Sequence, residues 1–72
     1  MRPLKFKMII KILENNNFLY IRQTGSHYIM QHTKDSFIVV VPFHGGNQEL
    51  TPGTFKDIIK QSKLSKEKFI KY

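Results

Sequence analysis

Between Phe18 and Pro42 the chain carries three runs rich in aromatic and β-branched residues, Phe18 to Thr24, His27 to Thr33 and Phe37 to Pro42. They are separated only by Gly25-Ser26 and by a short segment centred on Lys34-Asp35. Such runs favour strands. Links this short exclude parallel pairing, which needs a crossover of about a dozen residues or more, and leave antiparallel hairpins. Gly25 stands at the first central position of its loop, where a type II′ turn requires a positive φ. Lys34-Asp35 is a poorer turn of workable length.

Loop length fixes register. Centring the first hairpin on Gly25-Ser26 sets Thr24 opposite His27, Arg22 opposite Ile29 and Tyr20 opposite Gln31. Centring the second on Lys34-Asp35 sets Met30 opposite Val39, Tyr28 opposite Val41 and His27 opposite Pro42. One face then holds Leu19, Ile21, Tyr28, Met30, Phe37, Val39 and Val41, the expected core face. The other holds Tyr20, Arg22, Thr24, His27, Ile29, Gln31, Ile38 and Val40, which puts His27 beside Arg22 and Thr24. The apolar half of that second face (Tyr20, Ile29, Ile38, Val40) calls for a protein partner or self-association, because soluble monomers seldom leave such patches bare.

The flanks read as helices. Phe6, Ile9, Ile10 and Leu13 recur at helical spacing, with Lys5, Lys7, Lys11 and Glu14 mainly off their face. Pro3 suits a first turn, and Asn15-Asn16-Asn17 an ending in which Asn takes the left-handed conformation. After a loop from Phe43 to Leu50, flexible at Gly45-Gly46, Thr51-Pro52 opens a second helix as N-cap and first-turn proline, with Phe55, Ile58 and Ile59 as its stripe. Ser65 signals the N-cap of a last short helix, flanked by Leu64 and Phe69 in staple positions. The order is α-β-β-β-α with a terminal helical turn, an α+β class with a three-stranded antiparallel sheet and helices on one face.

At 72 residues the chain is expected to form one domain, spanning 1–72, with a small core. It has no cysteine, which removes disulfides, thiolate metal sites and cysteine nucleophiles. Three histidines and five scattered carboxylates show no ligand spacing, so neither a metal nor another cofactor is expected. No apolar run approaches the length of a membrane span and no leader pattern opens the chain, so membrane contact is not expected and a cytoplasmic location is. Twelve Lys and Arg against five Asp and Glu give +7, while 40% hydrophobic residues are too many for a disordered basic tail. A folded basic domain of this kind points to a polyanion, nucleic acid before membrane. Six lysines between Thr54 and Tyr72, Lys56 and Lys60 among them, form either a phosphate-steering surface or the solvated side of a helix.

Two histidines invite chemistry. His27 follows a glycine turn that a phosphate can approach closely, and a strand holds it. Imidazole titrates near pH 6.5, so such a group takes or gives a proton under cellular conditions. His44 lies just past Pro42, hence near His27 across the same end of the sheet. His32 falls on the core-facing side and reads as packing. A Ser-His-Asp triad is excluded because Ser26 and His27 are adjacent and point to opposite faces. That leaves metal-independent acid–base chemistry as the only catalytic class the residues invite. Taken alone, the pattern favours ordinary surface positions for both histidines over a catalytic role.

Three stretches in order, Gly25-Ser26-His27-Tyr28, Val41-Pro42-Phe43-His44 and Leu50-Thr51-Pro52-Gly53-Thr54-Phe55-Lys56-Asp57-Ile58-Ile59-Lys60-Gln61, resemble the HicA toxins, the mRNA interferases of HicBA toxin–antitoxin pairs. No one stretch is specific; their order and spacing, from the first helix to Phe69, carry the resemblance. It implies a fold similar to the double-stranded-RNA-binding domain, ribosome-independent mRNA cleavage with His27 as the catalytic residue, and a HicB-like antitoxin that masks it. Gly25 and Ser26 carry over as shaping residues. Many members have a second His after the first; here Tyr28 occupies that position and no role transfers to it. On this basis Arg22 or a lysine such as Lys56 or Lys60 would steady the phosphate, and His44 would protonate the leaving group. A homodimer and a toxin–antitoxin hetero-oligomer both remain open. The rival functions are a non-catalytic RNA-binding module of the same fold, which needs the lysines but not His27, and a protein adaptor, which the charge disfavours.

Overall fold

The computed structural model describes residues 5–45 and 48–70, the side chain of Ile70 excepted; Pro3, Gly46 and Lys71 therefore lie outside the described residues. Six elements follow in order: α1 (Phe6–Asn15), β1 (Phe18–Thr24), β2 (His27–His32), β3 (Ile38–Pro42), α2 (Pro52–Ser62) and α3 (Glu67–Ile70). The strands form one antiparallel sheet in the order β1-β2-β3, the expected α+β layout.

Helix α1 buries Phe6, Ile9, Ile12 and Leu13, and only half-buries Ile10. Ile12 was not in the four-residue stripe expected from spacing. The helix meets both β1 and α3, so its covered arc is wider than a single stripe. It ends as its asparagines require: Asn16 Nδ2 donates to the Ile12 carbonyl at 2.8 Å, and Asn17 takes a φ of 72°. Helix α2 starts at the expected cap, where the Thr51 hydroxyl accepts the Thr54 N–H at 3.3 Å ahead of Pro52. It buries Phe55 and Ile58 and half-buries Ile59. Helix α3 begins at Glu67, later than a Ser65 cap would place it, and Ser65 contributes its carbonyl, which accepts the Lys68 N–H.

The core lies between the helices and one face of the sheet. Phe6, Ile9, Ile12 and Leu13 of α1 meet Phe18, Met30, Val39 and Val41 of the strands and Phe55 and Ile58 of α2, with Leu50 and Phe69 closing the ends. Full burial of such side chains stabilises by about 1.5–3 kcal/mol each before the entropy of ordering is counted. Ser62, the one buried polar residue among those described, donates to the Ile59 carbonyl and accepts the Leu64 N–H.

Register holds everywhere except in the first half of β1. The pairs Thr24–His27, Arg22–Ile29, Met30–Val39, Tyr28–Val41 and His27–Pro42 all form. Tyr20, however, pairs with Met30 and not with Gln31, because a bulge between Tyr20 and Arg22 inserts one extra residue. The slip turns the preceding residues over. Phe18 becomes a fully buried core residue, Tyr20 moves to the helix side and packs on Tyr28 with ring centroids 4.7 Å apart, and Leu19 turns outward. Leu19 and Ile21, expected in the core, are 60% and 48% exposed. The bare face thus carries Leu19, Arg22, Thr24, His27, Ile29, Gln31, Ile38 and Val40, and Tyr20 does not belong to it. The second hairpin also loops more widely than two residues. Its Ser36 adopts a φ of 64° and donates its N–H to the His32 carbonyl.

Candidate active site

His27 is the first residue of β2, exposed, on the sheet face that the helices leave uncovered. Its position follows from the turn before it. Gly25 has a φ of 57° while Ser26 stays at negative φ, the pattern of signs a type II′ turn needs. Two hydrogen bonds hold the turn in place. Gln23 Nε2 donates to the Gly25 carbonyl at 3.1 Å, and the Phe43 N–H donates to the Ser26 carbonyl at 2.6 Å. The second bond extends the β2–β3 ladder beyond the strand ends and sets His44 next to the turn. His44 is exposed, and its N–H donates to Gln48 Oε1 at 2.8 Å. Gln48 is itself tied to α1, since its carbonyl accepts the Phe6 N–H at 2.8 Å, beside an isolated bridge between Lys5 and Glu49.

An aromatic group supports this end from the helix side. Tyr28 packs edge-on to Phe6 at 5.2 Å, and Phe6 packs on Phe43 at 4.7 Å. Successive strand residues point to opposite faces, so His27 stands in solvent while Tyr28 is half-buried beneath it. Tyr28 accordingly serves as a footing for the strand and does not share a surface with His27.

Sequence reasoning named seven residues here, and the structure groups some of them. Gly25, Ser26 and His27 share one corner of the sheet, where the Phe43 N–H bonds to Ser26 one residue before His44. Arg22, exposed and paired with Ile29, shares the bare face with His27. Lys56 and Lys60 are exposed on α2, which packs along β3 from the core side, so they belong to a different surface. Gln23 and Gln48, which brace the two halves of the corner, were missed; a glutamine two residues before a glycine turn is the only local hint of the first. His32 is structural, as expected. It stacks on Phe37 at 4.9 Å and meets Phe18 edge-on, and its Nδ1 accepts the N–H groups of Lys34 and Asp35.

What this corner can do is proton transfer in reach of a long, anionic substrate. A solvent-facing imidazole stands next to a glycine turn with no side chain at its apex, and a second imidazole is carried by the neighbouring loop. Among the described residues, no three His, Asp or Glu side chains come together as a metal site, and no helix is long and apolar enough to cross a membrane.

Among curated proteins, no sequence matches this chain. The model of one family, the HicA toxin of bacterial toxin–antitoxin systems, matches residues 6–64, which takes in α1, the whole sheet, the loop that carries His44 and all of α2. With more than four-fifths of its length covered, from the first core helix through the histidine corner, the chain belongs to the HicA toxin family.

Proposed function

We propose that the chain is the toxin of a toxin–antitoxin pair and acts as an endoribonuclease on mRNA in the cytoplasm, with His27 as its catalytic residue and a HicB-like antitoxin as its inhibitor. The observation that carries this reading is the exposed His27 on the uncovered sheet face, braced at a glycine turn, in a HicA-family chain of charge +7. His27 takes the proton of a ribose 2′-hydroxyl, and the freed oxygen forms a bond to the adjacent phosphorus. The bond from phosphorus to the 5′-oxygen breaks, leaving a 2′,3′-cyclic phosphate on one fragment and a 5′-hydroxyl on the other. His44 supplies the proton that the 5′-oxygen takes up. Arg22, on the same face, steadies the negative charge that grows on the phosphate. The two lysines of α2, Lys56 and Lys60, raise the local concentration of RNA through their field and fall in effect as salt rises. Placed acid–base catalysis contributes about 10²–10⁴-fold in rate.

The test is incubation of purified protein with RNA in EDTA. Wild type yields fragments ending in a cyclic phosphate. His27→Ala yields none above background yet melts within a few degrees of wild type, because an exposed side chain changes stability by only about 0.5 kcal/mol. Equal cutting by the variant refutes the assignment. RNA that is shifted but intact with wild type would show a binding module instead.

A further inference from the structure

The two edges of the sheet are built differently. On β3 the outward positions are Ile38, Val40 and Pro42, since Phe37 and Phe43 bond inward to β2. This edge is closed along most of its length. The Val40 N–H donates to Gln61 Oε1 of α2 at 3.1 Å, Pro42 has no N–H, and the His44 N–H is held by Gln48. On β1 the Thr33 N–H bonds to the Asn17 carbonyl and Thr24 faces His27 across the turn, so the backbones of Tyr20 and Gln23 point away from the sheet. Among the described residues, no loop, helix or side-chain group accepts a hydrogen bond from either outward N–H. Beside this open edge stand Leu19, Tyr20 and Ile21, three of the four large apolar side chains that are strongly exposed among the described residues.

An open ladder next to an apolar strip is the template for an added strand. The charge of the chain selects among strands. A second copy would bring another +7 to the surface, whereas an acidic segment is attracted to it. We propose that the β1 edge takes up an extended acidic segment of a protein partner, the antitoxin in a toxin–antitoxin pair, which pairs with the backbones of Tyr20 and Gln23 and rests apolar side chains on Leu19 and Ile21. The inference rests on the partnership proposed above and adds where and how the partner binds. It also supplies a route to inhibition. The added strand lies about two strand spacings, ~10 Å, from β2, so about three further residues of the partner reach across Thr24 and cover His27.

The experiment co-produces the chain with the product of the reading frame adjoining its own and follows amide exchange residue by residue. In the complex, the Tyr20 and Gln23 amides become protected by about tenfold or more relative to the free chain, as one added ladder bond each implies. A chain assembled from synthetic segments with N-methyl-Gln23 removes one outward donor without touching the β1–β2 ladder, and binds about tenfold more weakly. If that variant does not fold, the exchange measurement on the unmodified chain decides alone. A complex that leaves both amides unprotected overturns the inference but not the partnership, and the absence of any complex overturns both. Protection of the same amides by single-stranded RNA, or in a free dimer of the chain, assigns the edge to another occupant and overturns it as well.

Discussion

Gln61 offers a direct measure of what the closed edge contributes. Its Oε1 accepts the outward Val40 N–H at 3.1 Å and its Nε2 donates to Asp57 Oδ2 at 3.0 Å, so one side chain ties α2 to the rim of the sheet. Gln61→Ala strips the Val40 N–H of its partner. A buried donor left unpaired costs about 1–3 kcal/mol. Val40 is only half-buried, so water replaces part of the lost bond and the lower figure, about 1 kcal/mol, applies. For a domain of 60–100 residues that lowers Tm by about 4–8 °C. Gln61→Glu keeps an acceptor for Val40 but sets a carboxylate four residues after Asp57, a repulsion of about 0.2–0.5 kcal/mol, so its Tm falls between wild type and Gln61→Ala. Freeing the edge also exposes Val40 beside Ile38, already 50% exposed, and makes Gln61→Ala associate with itself as concentration rises. Thermal unfolding by circular dichroism and sedimentation velocity read the two effects. A Gln61→Ala protein that melts within about one degree of wild type and remains monomeric refutes the reasoning, since the bond would then contribute no more than water does.

Other predictions follow from single residues. Leu13 is fully buried against the sheet, so Leu13→Ala costs about 2–5 kcal/mol, a large part of the roughly 4–11 kcal/mol expected for 72 residues, and denaturant midpoints will show it. Gly25→Ala meets nothing within 4 Å of the new Cβ, so its cost is backbone strain alone at a φ of 57°, about 1–2 kcal/mol, read as a lower Tm. His44→Ala slows RNA cleavage and spares folding if His44 protonates the leaving oxygen; an unchanged single-turnover rate removes it from the mechanism.

The sheet was legible from its turns outward and illegible at its far corner. Gly25-Ser26 marks the first hairpin so clearly that the pairs nearest it, Thr24–His27 and Arg22–Ile29, follow by counting. Counting failed at Tyr20 because the bulge sits within Tyr20-Ile21-Arg22, where neither glycine nor proline marks it. That single slip exchanged Leu19 with Tyr20 and hid the true core role of Phe18. The second hairpin kept its predicted register even though its loop is wider, since the midpoint of the pairing did not move. His27 was placed correctly because it lies one residue from the turn, before errors accumulate. Gln61 and Gln48 went unnoticed because their braces are defined by what tertiary packing brings to them, the Val40 N–H in one case and the start of α1 in the other, while Gln23 braces its own turn two residues on and left only that weak local hint.

Gln48 uses both of its ends. The carbonyl holds the first N–H of α1 and the side chain holds the N–H of His44. Helix ends fray more readily than helix centres, and fraying is ordinarily confined to the last turn. Here the loosening of one end is shared with a residue in a distant loop. Whatever steadies or disturbs the start of α1 therefore bears, through one glutamine, on the backbone of His44 at the histidine corner.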